Sequence, residues 1–151
     1  MTAMPKVAQS TDRIEKRFEV RAPRARVWRA IADVKQFSTW FGAALDGVFA
    51  EGATVQGRHS RIRFEMQIQK IQPERYFAYR WHPYPNDPTV DYSSEPTTLV
   101  EFTLEETAAG TAVTIIESGF DQIPLARRAE AFRMNTEGWE NQATNLAKYV
   151  A

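Results

Sequence analysis

The 151-residue chain has no cysteine, which excludes disulfides, thiolate metal sites, iron–sulfur clusters and thiol catalysis. Histidine is almost as scarce. His59 and His82 are the only two and stand far apart in sequence, so no metal site is expected. An excess of one charge is also missing, since 19 Lys and Arg balance 19 Asp and Glu. That leaves no net field to gather nucleic acid or a membrane surface. No apolar run approaches the ~20 residues that cross a bilayer. The first residues, MTAMPKVAQSTD, lack the long apolar core of a signal peptide, so a cytoplasmic location without membrane insertion is expected. No P-loop or dinucleotide glycine motif occurs, and Ser118 is not in a nucleophile elbow. A nucleotide-dependent enzyme is therefore disfavoured and no cofactor is expected.

What is present suits a single globular domain. Hydrophobic residues make up 43% and charged residues 25%, ordinary proportions for such a domain. A chain of this length buries roughly 70% of its unfolded surface without staples. Residues 1–12 read as a flexible N-terminus and 13–151 as the domain.

Periodicity supplies the elements. Over residues 13–21, Ile14, Phe18 and Val20 alternate with Glu15, Arg17, Glu19 and Arg21, a half-buried strand. Ala22-Pro23 ends it, and proline suits the first position of a helix. Val27, Trp28 and Ile31 stripe a helix over 24–32, and a second short helix covers 34–40. Gly42, Gly47, Gly52 and Gly57 recur every five residues and read as turns around short strands at Val48 and Val55. Ile62, Phe64, Met66 and Ile68 then alternate with polar residues. So do Phe77, Tyr79 and Trp81, next Val100, Phe102 and Leu104, and last Val113 and Ile115 with Glu117 on their face. Phe132, Thr136, Trp139, Ala143, Leu146 and Val150 form one stripe on a long helix opened by Pro124. Gly138 inside that helix costs about 1 kcal/mol relative to alanine, which suggests a close contact or a kink. Residues 83–96 hold four of the eight prolines, which forbids a helix or central strand there. A long ordered loop or lid is expected.

The order is strand, two short helices, about six strands and one long helix. Consecutive strands with short turns make an antiparallel sheet. This sheet and the C-terminal helix can bury their apolar faces only against each other. The fold class is α+β, a curved antiparallel sheet wrapped around a long C-terminal helix. The space between them, near the short helices, is the natural pocket.

Several groups of residues carry a resemblance. They are Ala22-Pro23 with Val27-Trp28, Trp40-Phe41-Gly42, residues 77–83 (FAYRWHP), Asp91-Tyr92 with Glu95-Pro96, and residues 117–120 (ESGF). Arg127-Arg128, residues 132–135 (FRMN), Gly138-Trp139 and Asn145-Leu146 complete the set. In order and spacing the chain resembles the helix-grip superfamily, which includes START domains, birch-pollen-allergen-like proteins and polyketide cyclases. Within it, the chain is most similar to bacterial proteins related to the activator of the heat-shock-protein-90 ATPase. The resemblance implies the helix-grip fold over nearly the whole domain. Its members are functionally diverse, so three classes stay open. One is binding of a hydrophobic or aromatic small molecule; the others are a chaperone-ATPase accessory domain and a cofactor-free cyclase or hydrolase.

Glu117 is the foremost candidate, because strand parity points its carboxylate inward. It reads either as a ligand acceptor or general base, or as a structural acid paired within the fold. Trp40, Phe41, Phe64, Phe77, Tyr79, Trp81 and Trp139 lie on inward faces and read as cavity walls or as plain core. Met66 and Met134 read either as adaptable apolar surface or as gap fillers of the core, and Asn135 is placed at the pocket. His82 is expected at the rim beside the proline-rich loop, and His59 on a solvated basic edge. Arg127, Arg128 and Arg133 are expected on the exposed side of the long helix. No residue demands a homodimer, although a sheet edge or helix face could form one.

Overall fold

The computed structural model describes residues 11–151. Period-two alternation becomes seven strands: β1 (Arg13–Val20), β2 (Ala44–Asp46), β3 (Thr54–His59), β4 (Ile62–Gln72), β5 (Tyr76–Trp81), β6 (Thr98–Thr107) and β7 (Gly110–Ser118). They form one antiparallel sheet in the order β1-β7-β6-β5-β4-β3-β2. Helices α1 (Arg24–Ala32) and α2 (Val34–Phe41) follow β1, and α3 (Leu125–Val150) follows β7 through a short 3-10 turn. This is the expected α+β helix-grip fold.

Local chemistry accounts for the element ends. Pro23 stands at the cap of α1, one residue before the expected position, and its carbonyl accepts from the Arg26 and Val27 amides. Asp33 caps α2 by accepting from the Lys35 amide at 2.9 Å, a contact that satisfies one orphan donor of the first turn. Gly42 ends α2 at φ 78°, a left-handed conformation that glycine adopts without penalty. In β4 the register with β5 slips between Ile68 and Lys70. Such a bulge bends its strand and deepens the sheet's twist.

The core lies between the concave sheet face and the helices. Val27, Ala30 and Ile31 of α1 are fully buried. Phe37 of α2 packs its ring within 4.6–6.5 Å of Trp40, Phe41, Phe49, Phe77 and Phe102. From α3 come Ala131, Trp139, Leu146 and Val150. Phe132 and Thr136 of the expected stripe are only half-buried, Phe132 packing edge-on against Phe120 at 5.1 Å.

Two expectations about the glycine-punctuated segment are corrected. The strand anticipated around Val48 is Ala44–Asp46 instead, and Val48 is 65% exposed. Gly57 is not a turn. It lies within β3 beneath Phe64, whose ring atoms would stand 2.2 Å from an added Cβ. Glycine there makes room for an aromatic ring of the opposite strand. Among the described residues no helix is long and apolar enough to cross a membrane. Of the expected flexible N-terminus, residues 1–10 lie outside the described residues. Thr11 and Asp12 are described, and both are hydrogen-bonded to the 3-10 turn.

Candidate functional site

Four rings from four elements meet at one end of the space between sheet and helix. Phe41 ends α2, Phe64 sits in β4, Trp81 ends β5 and Trp139 lies mid-way along α3. Their centroids are 5.6–6.2 Å apart in the pairs that touch, with Phe64 edge-on to Trp81. Strand parity explains Phe64 and Trp81, and helical spacing explains Trp139. Phe41 arrives through the termination of α2 at Gly42.

Behind the rings lies Glu117, with no solvent exposure. Its Oε1 accepts from Asn135 Nδ2 at 2.9 Å and Trp139 Nε1 at 2.7 Å. Its Oε2 accepts from Trp81 Nε1 at 2.8 Å and the Thr98 hydroxyl at 2.5 Å. The carboxylate thus ties together β5, β6, β7 and α3. Burial pushes its carboxyl above the ordinary carboxylate range, while the four donors pull the other way. A carboxylate has about four lone-pair positions, and protein donors occupy all of them. Chemically this acid orients two indoles, and a ligand would have to displace a donor to reach it.

The rings open onto a cleft of about 220 Å³. Phe41, Phe64, Trp81 and Asn135 line it together with His59, Ile62, Met134 and Gln142, and Pro83 to Pro85 form one wall. An adjoining hollow of about 170 Å³ shares Phe41, Trp81, Asn135 and Gln142 and reaches Gly138 and Trp139. The expected close contact at Gly138 is therefore corrected: an added Cβ would meet nothing within 4 Å. Glycine there leaves the hollow open.

The anticipated residues divide into two groups. Phe41, Phe64, Trp81, Asn135 and Trp139 come together at the cleft, with Glu117 behind them. Trp40, Met66, Phe77 and Tyr79 are buried core that lines neither hollow. Trp40 donates its indole N–H to the Ala30 carbonyl at 2.8 Å. The Tyr79 hydroxyl is buried with no hydrogen-bond partner among the described residues, and burial holds it well above the ordinary tyrosine range. Ile62, Tyr84, Gln142 and Gly138 were not anticipated at the cleft. Nor was His59, although it alternates with Val55 and Gly57 and so shares their inward parity.

The proline-rich loop between β5 and β6 borders this cleft and is latched to α3. Arg127, expected on the exposed side of the long helix, is half-buried and grips Glu95 through Nε at 3.1 Å and Nη2 at 2.5 Å. Its guanidinium lies over the rings of Tyr84 and Tyr92 at 5.2 and 5.4 Å. The Tyr84 hydroxyl also donates to Glu95, at 2.6 Å, and Arg127 and Tyr84 together hold the Glu95 carboxyl below its ordinary range. His82 sits at the rim and donates from Nε2 to the Glu95 carbonyl at 3.1 Å, since a carbonyl oxygen can only accept. Among the described residues no group of three or more His, Asp or Glu could hold a metal ion.

Residues 21–151 match the family model described as "Activator of Hsp90 ATPase homolog 1-like protein". No curated protein matches the chain. Among solved structures, a protein from Mesorhizobium loti is similar at TM-score 0.75 and 20% identity, covering 91% of this chain and 95% of that one. A protein from Arthrobacter aurescens is similar at TM-score 0.77 and 15% identity, covering 98% and 92%. The structure described as the Aha1 dimer from Colwellia psychrerythraea is similar at TM-score 0.73 and 15% identity, covering 91% and 95%. At these identities the likenesses speak to the fold. The family match spans most of the chain, and the chain belongs to the Activator of Hsp90 ATPase homolog 1-like family.

Proposed function

We propose that the protein binds a hydrophobic or aromatic small molecule in the cleft between the sheet, α2 and α3, with residues 13–151 acting as one domain. The observation that carries this is the opening among Phe41, Phe64, Trp81 and Trp139, about 220 Å³ with an adjoining 170 Å³. An apolar cavity of about 150 Å³ already admits benzene, so two or three fused rings are the expected size. Affinity comes from ring burial and stacking. Glu117 is a positioning residue: its four bonds hold both indoles in place, which supports binding more than proton transfer. The loop latched by Glu95 and Arg127 forms one wall of the entrance.

The test is native mass spectrometry of gently purified protein, beside a Gly138→Leu variant whose new side chain would occupy the hollow. A small mass that leaves on denaturation, present in the wild type and missing from the variant, is the expected result. An empty wild type that no aromatic compound stabilises against heat would refute the proposal. The family description supports a second function, an accessory domain for a chaperone ATPase acting in the cytoplasm. Co-purification with such an ATPase, undiminished in Gly138→Leu, would favour that instead. One structural neighbour is described as a dimer, which supports checking for a homodimer in the same spectra.

A further inference from the structure

Two side-chain amides of α3, Asn135 and Gln142, border both hollows. Gln142 is bonded within the protein at both ends: Nε2 donates to the Phe41 carbonyl at 2.9 Å, and Oε1 accepts from Asn145 Nδ2 at 3.1 Å. Asn135 is bonded at one end only. Its Nδ2 donates to Glu117 Oε1, the oxygen that also takes the Trp139 indole N–H. A flipped amide would set its oxygen against that carboxylate oxygen, lone pair against lone pair. Glu117 therefore decides which end of Asn135 turns away from it. Asn135 Oδ1 has no hydrogen-bond partner among the described residues and is not a buried atom. It is an acceptor left open on a residue that borders both hollows.

Most donors around it are committed. Both indole N–H groups go to Glu117, the Tyr84 hydroxyl to Glu95, and His82 Nε2 to the Glu95 carbonyl. Pro83 and Pro85 in the wall have no N–H to offer. Only His59 and the second N–H of each amide remain. No Lys, Arg, Asp or Glu lines either hollow, so a charged ligand group would lose its water without gaining a counter-ion. The Glu117 carboxylate polarises the amide it holds, which strengthens Oδ1 as an acceptor. A purely apolar ligand would cover Oδ1 and strand it, at a desolvation cost that a ligand donor removes.

We infer that Asn135 is a specificity-determining residue: the cleft takes an uncharged aromatic molecule bearing a hydroxyl or N–H group, which donates to Asn135 Oδ1. The rings lie among Phe41, Phe64, Trp81 and Trp139. This inference rests on the proposed binding function and specifies its ligand class.

Two compounds that share one ring frame test it. 2-Naphthol carries a donor hydroxyl, and 2-methoxynaphthalene carries the same oxygen without its hydrogen. Equilibrium dialysis measures the affinity of each for wild type, Gly138→Leu and Asn135→Leu. Leucine has the branching of asparagine and so keeps Glu117 covered; circular dichroism verifies the fold. Gly138→Leu should exclude both compounds. Wild type should prefer the naphthol, and Asn135→Leu should lower the ratio of the two affinities about tenfold, a change of about 1.4 kcal/mol. A purely structural Asn135 would weaken both compounds alike, and an unchanged ratio refutes the inference while the binding function stands. A naphthol preference that survives in Gly138→Leu would place the donor's partner elsewhere and also refute it. If neither compound binds wild type, the binding function fails and the inference with it. Should Asn135→Leu not fold, the Asn135 Cγ resonance of 13C-labelled wild type decides. A shift with naphthol alone supports the inference, and equal shifts or none overturn it.

Discussion

Gly138 offers a prediction in which stability and function move in opposite directions. The residue lies inside α3 and does not belong to the glycines with positive φ, so alanine can adopt its backbone without strain. An added Cβ meets nothing within 4 Å, which removes any steric penalty. What remains is helix propensity, worth about 1 kcal/mol in favour of alanine. For a chain of this length that gain raises the thermal midpoint by roughly 2–4 °C. Gly138→Leu should also be at least as stable as wild type, because its side chain enters a hollow bordered by Phe41, Trp81 and Trp139. Thermal unfolding followed by circular dichroism reads the first quantity, and retention of a small mass in native spectra reads the second. The expected pattern is a rise in midpoint for alanine and loss of the retained mass for leucine. A fall in midpoint for Gly138→Ala would refute the reasoning, since it would mean that the glycine serves the backbone or a close contact. Both results together would show the familiar trade between stability and activity at Gly138.

Three further predictions concern buried or latched groups. Glu117→Gln replaces two acceptor positions with an amide N–H2 facing donors; Thr98 can turn to accept, but one indole N–H is orphaned, costing about 1–3 kcal/mol in a urea titration. Because burial raises the Glu117 carboxyl, the folded state holds this proton more tightly than the unfolded chain. That contribution is full below the ordinary value of 4.5 and is lost as pH rises through the raised value. The gap between wild type and Glu117→Gln should therefore narrow toward neutral pH, and a gap that widens would contradict the assigned direction. Tyr79→Phe removes a buried hydroxyl that has no partner among the described residues, so it should be neutral or stabilising by about 1 kcal/mol, and a clear loss in the same titration would reveal an unrecognised bond. Arg127→Ala should speed hydrogen exchange at residues 84–97 while leaving β5 and β6 protected, and acidification of the wild type should act likewise, because the depressed Glu95 carboxyl loses its anchoring once pH falls through its folded value; unchanged exchange would mean the latch does not hold the loop.

How much was legible in the sequence differs from residue to residue. The inward turn of Glu117 followed from its alternation with Val113 and Ile115, and the position of Trp139 from helical spacing. That Asn135 would share a carboxylate with Trp139 needed more, since they project from α3 toward a strand end that only the sheet register places. Arg127 illustrates the failure most clearly. Its helix face looked solvent-exposed, and nothing local announces that Glu95, thirty-two positions away, will fold across with two tyrosines beneath the guanidinium. Gly57 and Gly138 were misjudged for a related reason. A missing side chain says that space is needed, not what fills it, and here one space is taken by Phe64 and the other is left empty.

Element type, order and the buried face of each strand and helix are local properties, written in the alternation of apolar residues, the capping aspartate and the glycine at the end of α2. They could be read because each depends on neighbours a few positions apart. The division of the aromatics into filled core and cleft wall is not of that kind. Trp40, Phe77 and Tyr79 have the same inward parity or spacing as Phe41, Phe64 and Trp81. What separates them is how far the curved sheet stands from α2 and α3 at each point. That distance depends on contacts between residues far apart in the chain, such as the seating of Trp139 on Glu117, which only the assembled fold brings together.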